Sequence, residues 1–458
     1  MKKLINTLSM RLSRFAERWV PDPMLIAVIL TLMTLIIALL WGNHSTRYTP
    51  KAVLEIWGGG IWNLLPFAMQ MCLVLITGHA LASTPLVHRL INASSKLASS
   101  PSRAIMLTAM ISMIAGLLNW GLGLIVGAFM AREVGLRCAQ RGIKVHYPLL
   151  GAAGYTGLLV WHGGLSGTAP LKVTQLKDLA EISQTQQGIP LTDTLFSSTN
   201  LILVFGLLII SPLLLKLMSP KDEEVKGADE WIKDQGEVVQ SSEEHTEAST
   251  LTPARYLEES RGPGLVLGAL LLMAFFVKSS ALGFSHLNLD MINLAALALG
   301  LILHPSLSAY GRASQKAAMS TSGIILQFPL YAGIMSVMSG AGITQNMTLF
   351  VSQIASIDSL SILTFLMAGL VNLFVPSGGG QWAVQGPLVL ESATALNAPI
   401  GEAVIAFAHG DAWTNMLQPF WALPLLAITQ LKARDIVGYT AALMIALSPW
   451  YFFVFYVL

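Results

Sequence analysis

The chain has 458 residues, of which 54% are hydrophobic and 11% charged, and its mean hydropathy is +0.63. So little charge on so apolar a chain excludes an ordinary soluble domain, and a net charge of +2 lacks the basic footprint of a nucleic-acid binder. The two cysteines, Cys72 in an apolar run and Cys138 in a basic loop, do not make a disulfide framework.

Residues 1 to 20 carry five Lys/Arg ahead of the apolar run Met24 to Trp41, with no small-residue cleavage site between, which predicts a retained first span behind a basic amphipathic lead-in. Apolar runs follow at Trp62 to Ala82, Ala104 to Ala131, Tyr147 to Val173, Asn200 to Met218, Gly264 to Leu282, Leu289 to Leu303, Met319 to Gly340, Ile362 to Leu390, Ile400 to Leu431 and Ile436 to Val457. A helix crosses a bilayer in about 20 residues. The runs Ala104 to Ala131 and Ile362 to Leu390 are longer and are broken in the middle, by Asn119-Trp120-Gly121-Leu122-Gly123 and by Pro376-Ser377-Gly378-Gly379-Gly380. Hydrocarbon offers the backbone no water, so such breaks survive only where protein or a solute cavity satisfies them.

Loop charge favours two re-entrant hairpins over two long spans, more firmly for the first run; the second hairpin rests more on its glycine run and on symmetry. With hairpins and a cytoplasmic N-terminus, 22 of the 27 Lys/Arg fall inside; with two full crossings they divide almost evenly. The expected fold is therefore an all-α polytopic membrane protein, with about nine transmembrane helices plus two re-entrant helical hairpins in an inverted repeat. Residues 1–218 form the first membrane half, with its hairpin near 104–131; residues 262–458 form the second, with its hairpin near 362–390 and a periplasmic C-terminus. Residues 219–261 read as a polar cytoplasmic linker, mostly disordered.

Glycines at the hairpin tips allow positive φ and close approach of a solute, and helices that start there aim their amides at an anion. The spans after the hairpins are interrupted too, at Ser166-Gly167-Thr168-Ala169-Pro170 and at Thr414-Asn415-Met416-Leu417-Gln418-Pro419. The expected substrate site comprises Asn119, Gly121, Gly123, Ser166, Thr168, Ser377, Gly378, Gly379, Gly380, Trp382, Thr414 and Asn415. The oxygens of Asn119, Ser166, Thr168, Asn372, Thr414 and Asn415 suit a sodium ion. The plainer alternatives are tight helix packing for the glycines and back-bonding to the preceding turn for Ser and Thr.

The strings NWGLGLIVGA, GGLSGTAPL, VPSGGGQWAVQGP and TNMLQPFWALP, with RWVPDP near the start and DTLFS from Asp193, resemble the short-chain fatty acid transporter family of the ion transporter superfamily. That resemblance implies uptake of short monocarboxylates, such as acetoacetate or butyrate, across the bacterial inner membrane, by a homodimer whose hairpins and broken helices move as a transport domain. The chain departs from the family at Gln381, where histidine is frequent, and at His162, where glycine is.

The residues fit a monoacid independently. No Arg or Lys lies in either tip or either break, so a dicarboxylate lacks compensation for its second charge. Trp120, Trp161, Trp382, Trp413 and Trp421 lie around the breaks and are placed to wall an apolar tail. Moving a monoanion inward costs about 2.3 kcal/mol per 100 mV, so uptake needs a proton or a sodium ion. Asp411, the nearly isolated mid-membrane acid, is the expected coupling residue, with a structural hydrogen bond to the broken backbone as its alternative. A dicarboxylate or other organic-anion carrier and a sodium/proton antiporter are competing functions. An enzyme is not expected: Ser166 near His162 is the only nucleophile–base pairing, no metal-ligand spacing supports it, and no cofactor is expected beyond the coupling ion.

Overall fold

The computed structural model describes residues 2–19, 23–41, 49–174, 188–232, 252–282, 289–319, 321–343, 346, 354–375, 378–418 and 421–457. Every regular element among them is helical. In chain order the α-helices are α1 (Lys2–Trp19), α2 (Pro23–Trp41), α3 (Pro50–Gly60), α4 (Leu65–Ala82), α5 (Pro85–Ser95), α6 (Pro101–Leu118), α7 (Trp120–Gln140), α8 (Tyr147–Tyr155), α9 (Gly157–Val160), α10 (Thr168–Lys172), α11 (Ser198–Leu217), α12 (Pro253–Glu259) and α13 (Gly262–Leu282). There follow α14 (Leu289–Leu303), α15 (Leu307–Met319), α16 (Ser322–Gly340), α17 (Ile357–Asn372), α18 (Gly378–Ala395), α19 (Ile400–Thr414), α20 (Leu423–Thr429) and α21 (Ala433–Val457).

Among the described residues five helices are long and apolar enough to cross a membrane: α6, α11, the stretch Gly262–Ser280 of α13, α16 and α21. Val266, Leu270, Met273 and Val277 line one side of α13 and are each more than half exposed, an apolar band suited to lipid. Helices α3, α5 and α15 were not foreseen. Two of them begin on a Thr-Pro pair: Thr49 accepts from Ala52 N and Thr84 from Val87 N, with proline at the first helical position, where its missing N–H costs nothing. Helix α5 leaves α4 with a 68° bend.

The first broken run folds back on itself. A Cβ on Gly123 would run into the backbone of Gly116, and one on Gly127 would meet Ser112 Oγ, so α6 and α7 pack antiparallel at backbone distance. In the second run α18 turns back on α17, and Gln381 Nε2 donates to Ala368 O at 2.7 Å.

Each first arm then runs parallel to the broken helix that follows it. Thr156, Gly157 and Leu165 bond to Ala109, Ser112 and Leu117 in rising order. In the second half Ser361 bonds to Glu402, and Gly369 accepts from Thr414. The Ser112–Gly157 and Gly369–Thr414 bonds both join residues 45 apart. The two broken helices run antiparallel to one another: Tyr155 OH donates to the carbonyls of Asn415 and Gln418, whereas Gly163, later in its chain, packs on His409, earlier in its own.

Part of the segment expected to be a disordered linker is packed. Ala228 and Ile232 are buried, Ala228 lies against Gly135 of α7, and Tyr147 N donates to Lys226 O at 2.8 Å. His146 Nδ1 accepts from Lys226 N at 3.2 Å; burial, and then the Lys226 charge, push this imidazole down to about 4, so it stays a neutral acceptor. The lead-in helix α1 lies on α21, where a Cβ on Gly438 would strike Ser13.

Candidate substrate and ion site

Both tips and both breaks meet in the interior. Helix α6 stops at Asn119, a single extended residue (φ −157, ψ 130), and α7 starts at Trp120. Asn119 Oδ1 accepts from Leu122 N at 2.9 Å and caps α7, while Trp120 N donates to Ser166 Oγ at 2.9 Å and Leu165 N to Leu117 O at 2.7 Å. The first tip is thus stitched to the first break. Thr168 opens α10 and is buried.

In the second half Asn372 ends α17 and carries the junction. Its Nδ2 lies 2.9 Å from Asp411 O, 3.0 Å from Thr414 Oγ1 and 2.9 Å from Asn415 Oδ1. Thr414 Oγ1 in turn donates to Gly369 O at 3.0 Å, and Gln418 Nε2 donates to Asn372 O at 2.9 Å. Of the oxygens expected to hold sodium, those of Asn372, Thr414 and Asn415 are therefore gathered, and Asn119 and Ser166 are joined through Trp120. The Thr414 and Asn415 oxygens each accept from the Asn372 amide.

Asp411 is 1% exposed. Oδ1 receives Asn415 Nδ2 at 3.4 Å and faces His162 Nε2 at 3.9 Å; Oδ2 has no hydrogen bond. His162 and His409 are fully buried. His409 Nε2 pairs with Asn200 Oδ1 at 2.8 Å, and Asn200 Nδ2 donates to Gly163 O at 3.0 Å, so α11 steadies the first break.

The glycines divide. Gly121 and Gly123 lie inside α7 rather than in a turn, and the glycines with positive φ among the described residues are Gly142 and Gly342. Both pack closely: a Cβ on Gly121 would meet Val74 at 3.0 Å, and Gly123 abuts Gly116. Gly378, Gly379 and Gly380 are buried and open α18, and a Cβ on Gly378 would fall 2.5 Å from His162 Nε2. Ser377 lies outside the described residues.

Of the five tryptophans, Trp120, Trp161 and Trp421 gather, with ring centroids 6.3 Å apart for Trp120–Trp161 and 5.3 Å for Trp120–Trp421. Trp382 packs edge-on against Phe407 in a separate small core, and Trp413 is tied to Met444 O at 2.9 Å. Tyr155 and Asn200 were missed by sequence reasoning, and Gln418 was placed in the second break without a role; an amide or phenol in an apolar run is the signal that marks them. An open cavity of about 540 Å³ near the start of α19, lined by Asp193 and Glu402, contains none of the expected site residues.

A family model described as "Short chain fatty acid transporter" matches residues 4–458. The chain belongs to this family. It is 41% identical over 436 residues to a protein of Escherichia coli (strain K12), covering 95% of this chain and 96% of that one. It is 38% identical over 454 residues to one of Haemophilus influenzae (strain ATCC 51907 / DSM 11121 / KW20 / Rd), covering 97% and 98%. Both carry the name "Putative short-chain fatty acid transporter". Among solved structures the chain is similar to the Alcanivorax borkumensis YdaH transporter, with 15% identity, TM-score 0.47 and coverage of 95% of this chain and 96% of that one. It is also similar to the Neisseria gonorrhoeae MtrF efflux pump, with 13% identity, TM-score 0.45 and coverage of 98% and 97%. The family and these relatives are transporters, not enzymes.

Proposed function

We propose that the chain takes up short-chain monocarboxylates such as butyrate or acetoacetate across the bacterial inner membrane, by symport with a proton or a sodium ion. Family membership supports the substrate class. The observation that carries the monoacid and the coupling is a buried site in which Asp411 is the one buried carboxylate among the described residues and neither tip nor break offers an Arg or Lys. One carboxylate finds amides at the helix starts; a dicarboxylate leaves a second charge bare. Asn119, Gly121, Gly123, Ser166, Thr168, Ser377, Gly378, Gly379, Gly380, Trp382, Thr414 and Asn415 form the proposed substrate site, with Asp411 as the coupling residue.

The test is uptake of radiolabelled butyrate and acetoacetate into proteoliposomes under separately imposed sodium and proton gradients. Accumulation is expected under one of the two, without competition by a C4 dicarboxylate. Retention of neither label under either gradient rejects the reading, and strong dicarboxylate competition favours the organic-anion carrier.

The architecture we propose has nine spans and two re-entrant hairpins inserted from opposite sides, a cytoplasmic N-terminus, a periplasmic C-terminus and a homodimeric scaffold against which the hairpins and broken helices move as an elevator. Its membrane halves are 1–218 and 262–458, joined by a cytoplasmic linker at 219–261. The antiparallel course of the two broken helices, each parallel to its own first arm, supports the inversion. Cysteines at Ser102 and Gln140, placed one at a time in a cysteine-free background, are both expected to label from the cytoplasmic side. Labelling of either from outside rejects this topology.

A further inference from the structure

We infer that His162 donates the side-chain hydrogen bond that orients the substrate's carboxylate at the start of α18, a contact made across the two halves of the chain. The inference rests on the monocarboxylate reading above and names a residue that reading leaves unused.

Two independent observations meet at this point. Helix α18 runs for 18 residues from Gly378, and the start of a helix presents outward N–H groups and a partial positive charge to an anion. Directly against Gly378 lies the edge of a fully buried imidazole. Neither ring nitrogen of His162 makes a hydrogen bond of ordinary geometry; the polar groups near it are the His409 imidazole, the Ala408 backbone and Asp411 Oδ1, 3.9 Å from Nε2. A buried N–H is rarely left without an acceptor, so a group with no protein partner in one state is expected to find one in another. A carboxylate has two oxygens, and a donor on each side of it, one an imidazole N–H and one a helix-start amide, fixes both its position and its plane.

The ring is held for this task. Its centroid lies 3.6 Å from that of Trp161, the next carbonyl, Gly163 O, accepts from Asn200 Nδ2 at 3.0 Å, and Gly167 packs against the His162 carbonyl. Any side chain at position 378 would meet both His162 Nε2 and the Trp161 ring, which accounts for glycine there. With the carboxylate on Nε2, a short aliphatic tail runs over Trp161 toward Trp120 and Trp421, so one end of the site is polar and the other aromatic.

The experiment compares the parent with His162→Phe, which keeps a flat ring and removes the donors, and His162→Gln, whose amide N–H reaches to about the place of Nε2. Labelled butyrate uptake into proteoliposomes is measured with butyramide, the uncharged isostere, as competitor. His162→Phe is expected to raise the KM for butyrate at least ten-fold with Vmax within about two-fold and butyramide competition unchanged, and His162→Gln to stay within about three-fold of the parent KM. A parent-like KM in His162→Phe overturns the inference, and so does an equal loss in both variants, which marks packing. Should His162→Phe not fold, Gly378→Ala sets a methyl group against Nε2 and is expected to raise KM in the same direction; an unchanged KM there overturns it. If the parent itself takes up no butyrate the monocarboxylate reading falls first, whereas a transporting parent matched by its variants removes only the role of His162.

Discussion

Asp411→Asn is expected to lose gradient-driven accumulation of butyrate at least ten-fold while keeping exchange between two equilibrated compartments. The substitution preserves shape and hydrogen-bonding capacity and removes only the ability to ionise. The carboxylate is 1% exposed, one of its oxygens has no hydrogen bond, and the other is touched by Asn415 Nδ2 at 3.4 Å. A substrate carboxylate arriving at the start of α18 would come close to this charge. Two like charges 4 Å apart repel by about 4 kcal/mol at an effective dielectric constant of 20, so an anion binds well only when a proton or a sodium ion accompanies it. With asparagine at 411 the anion binds without its cation, and the link between gradient and uptake is cut. Exchange needs no ion cycle and survives. The check is the accumulation ratio under the gradient that drives the parent, beside homoexchange in its absence. If the variant concentrates butyrate like the parent, Asp411 is structural, and the cation must rest on the neutral oxygens of Ser166, Thr168, Ser377, Thr414 and Asn415.

The breaks were legible from the chain because hydrocarbon punishes an unpaired backbone, so Asn119 and the SGTAP and TNMLQP strings stand out against apolar runs; the structure interrupts helices at Asn119, around Trp161–Gly167 and at Asn415–Gln418. The role of the glycines was not. Gly121 and Gly123 read as a turn and lie inside α7 in close contact with neighbouring helices, since absence of a Cβ gives one sequence signal for both. Helices α3 and α5 were hidden for a different reason: their apolar residues are too few for a span, and only the Thr-Pro starts betray them. Nor does local sequence bring His162 to Asp411 or Asn200 to His409: the first pair depends on how the two antiparallel broken helices cross, the second on where α11 packs against α19.

The two tip asparagines, alike in sequence, are expected to differ sharply on truncation. Asn119 Oδ1 makes one capping bond, to Leu122 N, and its Nδ2 has no partner, so Asn119→Ala removes a helix cap worth about 1 kcal/mol. Asn372 Nδ2 lies within 3.0 Å of three buried acceptors, those of Asp411, Thr414 and Asn415 in the second broken helix, which share its two N–H groups. Asn372→Ala strips a donor from this cluster, and each buried polar group left short costs about 1–3 kcal/mol. Thr414 keeps its bond to Gly369 O and Gln418 its bond to Asn372 O, so part of the junction persists and the losses do not simply add. The expected order is therefore a larger drop in thermal midpoint for Asn372→Ala than for Asn119→Ala in detergent, with butyrate uptake falling at least ten-fold in the former because α17 and α19 lose their register at the break. Equal midpoints for the two variants would mean that packing at Gly369 and Gly410, both pressed against the neighbouring helix, holds the second junction without the amide.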